Sequence, residues 1–251
     1  MAAAQGLTVG LAGPIAPSRL PRRLTWAPAV MTPLGFVAIV ALLAGYPDAA
    51  LAVAVAAVLG VPLLAIVAGA LLARAGRPAW GYLTAPLVAA ALLFQNHVVG
   101  QLATLLLLAL SCVALGALLR CVGDPRALMT GVAVLAVADV ILLVAGPVNE
   151  ATAALRAVNL GNLPGFQEAV VGPSTMGYGD LFVAGVAGAI AARTPGAPRR
   201  VGVLTLVFAL LESALFFRHG PYPSTVPVVL ALAVEETWRR VALRRAVPAL
   251  R

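Results

Sequence analysis

Three carboxylates stand inside long apolar stretches of this sequence: Asp139 in AVADVILLV, Asp180 in GYGDLFVAG and Glu212 in FALLESALFF. An ionisable group at membrane depth costs about 2.5 to 3.5 kcal/mol on insertion scales, so such groups face a protein interior or a water-filled cavity, where they tend to be functional. Asp139 and Asp180 are the pair with chemistry in them. Two carboxyls brought together at low dielectric cannot both ionise, and they share one proton. The ionised member can then draw a proton from a water attacking an amide carbonyl, while the protonated member donates to the carbonyl oxygen. Gly177 and Gly179, on either side of Tyr178, leave the backbone free for another chain to approach, which suits an extended peptide added as a strand. No cofactor and no metal is implied. A carboxyl dyad needs only water, and the other acids and histidines do not cluster at ligand spacing.

The elements that must carry these acids follow from composition. Of 251 residues 62% are hydrophobic and 10% charged, with a mean hydropathy of +1.01. A soluble domain is about 25% charged, so a water-soluble globular enzyme is excluded. A bilayer core about 30 Å thick needs about 20 apolar residues per helix, because every backbone polar group must be satisfied within the span. Cutting the sequence at its charges gives runs from Ala29 to Gly45, Ala49 to Ala73, Trp80 to Phe94, Val98 to Leu119, Ala127 to Gly146, Pro173 to Ala192, Val201 to Phe217 and Ser224 to Trp238. The expectation is an all-α, polytopic membrane protein of about eight spans, with seven to nine possible. Asp139 then lies about seven residues from the end of its span at Gly146, and a sixth helix opening at Pro173 puts Asp180 equally deep.

Residues 1–28 hold Pro14, Pro17, Pro21 and Pro28, with Arg19, Arg22 and Arg23 following a weakly apolar stretch. Neither a secretory signal nor a helix is expected there. All 17 positive charges are arginine, against 9 acids, for a net charge of +8. In a chain this apolar, that excess marks an anionic membrane surface as the partner and not nucleic acid. The arginines alternate: the N-terminal tail, Arg74 with Arg77, Arg120 with Arg126, Arg193 with Arg199 and Arg200, and the tail from Arg239 occupy every second connection. The positive-inside rule puts these segments in the cytoplasm, so both termini are cytoplasmic in the plasma (inner) membrane and the long connection from Pro147 to Gly172 is outside. Asn159, Gly161, Asn162, Pro164 and Gly165 argue against a regular helix there, leaving a gate or a solvated loop. The chain divides into a cytoplasmic tail (1–28), a transmembrane scaffold (29–126), a catalytic transmembrane region (127–238) and a basic tail (239–251).

Gly177-Tyr178-Gly179-Asp180 preceded by a lone intramembrane Asp139 in the span before it resembles the GxGD intramembrane aspartyl proteases, presenilin and signal peptide peptidase, in a short, bacterial-type form. The stretch from Asp139 through Gly146-Pro147-Val148 is similar to the presenilin segment that follows the first catalytic aspartate. The resemblance implies catalysis by Asp139 and Asp180, with Gly177, Tyr178 and Gly179 positioning the substrate. The family also opens its last helix with Pro-Ala-Leu beside the active site. Pro248-Ala249-Leu250 matches in letters but has no helix after it, whereas Pro223-Ser224-Thr225-Val226-Pro227 opens the last span on the side of both aspartates. The implied substrates are transmembrane helices, type II segments for the orientation above. Ala138 stands where the family has tyrosine, and about nine spans are usual there.

Other polar residues read more plainly. Glu212 has no motif around it and is expected to make a helix-packing hydrogen bond, as are Gly185 and Gly188 to permit close packing. His97, His219, Gln95, Asn96 and Gln101 sit near a boundary, and Glu235 and Glu236 reach the interface at the inner end of the last span. Cys112 and Cys121 support neither a disulfide framework nor a thiolate zinc site. The alternative functions are a proton- or cation-coupled transporter or channel using the two acids, and a catalytically silent relative that binds transmembrane helices.

Overall fold

The computed structural model describes residues 1–13, 26–46, 48–161, 163–172, 174–215 and 224–246. Pro173, Pro223, Asn162, His219, the arginines at 19, 22 and 23 and the 248–250 tripeptide lie outside the described residues. The described fold is all-α apart from one hairpin. In chain order it comprises α1 (Ala2–Ala12), α2 (Ala27–Gly45), α3 (Ala49–Arg74), α4 (Pro78–Leu93), α5 (Val98–Val122), α6 (Pro125–Ala145) and α7 (Pro147–Ala157). The strands β1 (Glu168–Val171) and β2 (Ser174–Gly177) follow, then α8 (Tyr178–Ala191), α9 (Ala197–Leu215) and α10 (Val226–Ala246).

Each of the eight apolar runs becomes a helix, but fewer than eight meet the length and composition a bilayer demands. Among the described residues α2, α3, α5 and α6 are long and apolar enough to cross, which is consistent with an integral membrane protein. α4 and α8 are shorter apolar helices. Charges set α9 and α10 apart: Arg199, Arg200 and Glu212 fall in the first, and Glu235, Glu236, Arg239 and Arg240 in the second. Leu59, Leu63 and Val144 are 63%, 63% and 83% exposed on the outside of the bundle, the surface expected where lipid replaces water.

Two expectations are corrected. The first is the N-terminal tail: residues 2–12 form a helix, and it is internal. Gln5, Thr8, Val9, Leu11 and Ala12 are all buried where α1 packs between α5, α8 and α9. Eleven residues span only about 16 Å, so a search for 20-residue runs passes over them. Glycine lets α1 enter: a Cβ on Gly6 would lie 2.8 Å from the Gly202 carbonyl oxygen, and one on Gly188 would lie 2.3 Å from that of Val9.

The second concerns the long connection and the helix after it. Pro147–Ala157 is helical, entered from Gly146, which ends α6 in the left-handed region (φ 97°), with Pro147 in the first turn of α7. Among the described residues the irregular part is confined to 158–161 and 163–167. β1 and β2 then pair antiparallel, Glu168 opposite Gly177 and Val171 opposite Ser174, with Gly172 at φ 58° in the turn. Phe166, Ala169 and Met176 are buried against the bundle, and Gln101 of α5 accepts a hydrogen bond from the Gly172 amide at 3.2 Å. The segment is therefore docked and not a solvated loop. Because residues 174–177 are strand, α8 starts at Tyr178 and not at Pro173, and Asp180 is in its first turn.

α5 and α8 form the centre. Gly116 and Gly185 bring their backbones together, since a Cβ on Gly185 would sit 2.2 Å from the Cys112 carbonyl oxygen and one on Gly116 would sit 2.4 Å from that of Gly185. The packing expected of Gly185 and Gly188 is thus observed. At the opposite end from the hairpin, Glu235 and Glu236 are buried and paired: Glu235 accepts from Arg200 Nε at 3.0 Å, and Glu236 accepts from Arg239 at 2.8 and 2.9 Å and from Arg240 at 3.0 Å. Arg193 also approaches Glu236, at 3.6 Å. Basic segments from α5–α6, α8–α9 and α10 so meet at one end of the bundle. Gly185→Leu is expected to lower the thermal unfolding midpoint in detergent by an overpacking cost of about 1 to 3 kcal/mol or more. Gly60→Ala, where a Cβ meets nothing within 4 Å, is expected to leave or raise it; equal midpoints for the two variants would contradict the backbone contact.

Candidate active site

Asp139 is carried by α6, whose start is fixed locally. Asp124 caps it by accepting the Arg126 amide hydrogen bond at 2.8 Å, and Pro125 occupies the first turn. Asp139 is seven residues before Gly146, as the sequence predicts. Asp180 is carried by α8, where its Oδ2 accepts the Gly177 amide at 3.1 Å and so satisfies one of the orphan donors of the helix start. α8 has only 14 residues, about 21 Å, too short to reach both faces of a 30 Å core.

Both aspartates line one small cavity of about 50 Å³, large enough to admit water. Thr32 and Phe36 of α2, Leu135 of α6, Phe182 and Val183 of α8 form its largely apolar wall, with Gly179 and Thr225. A Cβ on Gly179 would lie 3.6 Å from the Phe36 ring, so a side chain here would narrow the cavity. The two acids are thus brought together, as proposed from their spacing.

The turn before α10 supplies their partners. Thr225 Oγ1 donates to Asp139 Oδ2 at 2.7 Å, and the Ser224 side chain lies near the Asp180 carboxyl. Of the residues expected to position a substrate, Ser224 and Thr225 instead touch the acids, Val226 and Pro227 open α10, and Gly177 ends β2. Tyr178 turns inward. Its hydroxyl lies 3.1 Å from Ser111 Oγ, and because Ser111 donates to the Leu108 carbonyl at 2.7 Å, the tyrosine is the donor in this pair. The bond ties the start of α8 to α5. Ser111 and Gln101 carry no signal in the sequence: each is one polar residue in an apolar run, and only the fold shows what it meets.

Glu212 also belongs to this region, since it lies within electrostatic reach of Asp180 and Asp139. Among the described residues its buried Oε2 has no hydrogen-bond partner, so there this oxygen does not make the helix-packing bond expected of it. His97 precedes α5 and meets the Phe94 ring edge-on, centroids 6.5 Å apart, away from the acids. Among the described residues no group of three or more His, Cys, Asp or Glu is placed to hold a metal ion.

No protein-family profile, curated protein or solved structure matches the chain. The reading of the site therefore rests on its own geometry. Tyr178→Phe and Ser111→Ala are each expected to cost about 0.5 to 1.5 kcal/mol of stability. Because both remove the same bond, the double variant should cost little more than either, and full additivity in a double-mutant cycle would exclude the bond.

Proposed function

We propose that the chain is an intramembrane aspartyl protease that hydrolyses peptide bonds within transmembrane segments, with Asp139 and Asp180 as its catalytic residues. The observation that carries this reading is the shared cavity: two carboxyls at one water-sized space, walled by apolar side chains and held by adjacent residues of one turn. In the proposed reaction one carboxylate takes a proton from the water as it attacks the amide carbon. The other, protonated, donates to the carbonyl oxygen, and the proton passes on to the departing nitrogen as the C–N bond breaks.

A substrate helix must open before its amide can be attacked, because the i to i−4 hydrogen bonds shield the carbonyl. The hairpin supports such opening. A two-stranded sheet leaves β2 with one unpaired edge, and β2 runs directly into Gly177, three residues from Asp180. An extended segment added to that edge would be led to the acids by main-chain hydrogen bonds. The eight apolar helices from α2 to α6 and α8 to α10 are the proposed membrane helices, the short α8 enclosed among the others, with the arginine-bearing end and both termini on the cytoplasmic side. Type II transmembrane segments are then the substrates with matching polarity.

Glu212 favours a second reading, in which three acids in reach of one another pass protons through the bundle. The two are separated by reconstituting purified protein in vesicles with a labelled transmembrane peptide. Asp139→Asn and Asp180→Asn should each lower the cleavage rate by at least about 100-fold while the protein still folds and inserts, the scale of a lost general acid or base. Cleavage preserved in either variant, or acid-dependent proton flux without cleavage, would overturn the protease reading.

A further inference from the structure

The mechanism proposed above uses Ser224 and Thr225 but leaves open what holds them in place. The turn they form precedes α10, with Thr225 bonded to Asp139 and the Ser224 side chain near Asp180. Its backbone is held from a distance of 219 residues along the chain: Gln5 Nε2 of α1 donates to the Ser224 carbonyl oxygen at 2.7 Å. Gln5 is 1% exposed, among the largest fully buried side chains of the protein. A buried amide must find partners or lose the hydrogen bonds it had in water, and this one reaches the residue whose side chain lies near Asp180.

The position of Gln5 is itself fixed. Gly6 meets Gly202 of α9 and Val9 meets Gly188 of α8, backbone to backbone, within the turn that follows it. α1 cannot slide without collision against α8 or α9. The other buried polar residue of the helix, Thr8, returns its hydroxyl to the Ala4 carbonyl of its own helix at 2.7 Å and does nothing for the neighbours. Gln5 is the polar group α1 sends outward to the turn.

We infer that Gln5 is a positioning residue, and that α1 acts as an internal strut which, through the Gln5 amide, sets the register of Ser224 and Thr225 against Asp180 and Asp139. The inference rests on the protease reading for its effect on rate, but the tie itself can be observed without catalysis. Gln5→Met keeps the side-chain volume and removes the donor; Thr8→Val changes another buried residue of the same helix and serves as the control. Hydrogen exchange read by mass spectrometry on the vesicle-inserted protein should show faster exchange over residues 224–230 in Gln5→Met, with α5 and α8 unchanged. In the same preparation kcat for a transmembrane peptide should fall by at least tenfold with KM within twofold, while Thr8→Val behaves as wild type. Unchanged exchange at 224–230 overturns the tie whatever the cleavage. Faster exchange with undiminished kcat overturns the positioning role, as does an equal fall in Thr8→Val. If Gln5→Met does not fold, Gln5→Leu and Gln5→Asn, whose amide is one methylene too short to reach, take its place with the same criteria. Wild-type protein that cleaves nothing overturns the protease reading and the rate effect with it, and the exchange comparison then decides the tie alone.

Discussion

Acidic side chains inside an apolar bundle persist only where something polar meets them, and here that requirement falls on two consecutive residues. Thr225 donates to Asp139, and Ser224 lies beside Asp180. One short turn thus spans the gap between helices α6 and α8 and keeps two carboxyls at a single cavity. Burying a carboxyl with no partner would cost several kcal/mol. Adding partners from one turn makes the two sites interdependent, because a shift that improves one contact strains the other.

The remaining architecture can be understood as holding the three pieces that meet at this point. α8 is seated on α5 through Gly116 and Gly185 and through the Tyr178–Ser111 bond, so the first turn that carries Asp180 has little freedom. α6 is capped at Asp124 and stopped at Gly146, which fixes how far Asp139 stands from either end. α10 is anchored near its middle by buried Glu235 against Arg200 of α9 and by Glu236 against Arg193, which follows α8, and Arg200 also lies over the Trp238 ring, 5.6 Å from its centroid. Buried ion pairs of this kind fix geometry more than they add stability. With α10 held there, its first turn has a defined place at the acids.

Much of this was legible in the order of residues. Eight apolar runs cut at charges became helices, the intramembrane pair Asp139 and Asp180 converged, and Gly185 and Gly188 are where backbones touch. What escaped has common physical causes. α1 is half the length of a span and is stabilised by neighbours whose identity depends on the fold, so neither its hydropathy nor its length marks it. The start of α8 differs because Pro173 is a good first-turn residue, whereas Ser174–Gly177 pairs with Glu168–Val171 as a hairpin, a gain that the preference of single residues does not contain. Gln5, Gln101 and Ser111 each make one decisive bond to a partner far along the chain, and nothing in their local sequence distinguishes them from polar residues without a role. Glu212 is the reverse case, conspicuous in sequence and left with an unpartnered oxygen among the described residues.

The central claim is that water held between Asp139 and Asp180 becomes part of a cleaved peptide. It is tested most directly by incubating vesicle-inserted protein with a transmembrane peptide in water enriched in oxygen-18 and weighing the products. The account predicts a cut inside the apolar segment, with a single solvent oxygen in the newly formed carboxyl group. An intact peptide after prolonged incubation with folded, inserted protein, or products whose new carboxyl group carries no solvent oxygen, would contradict it.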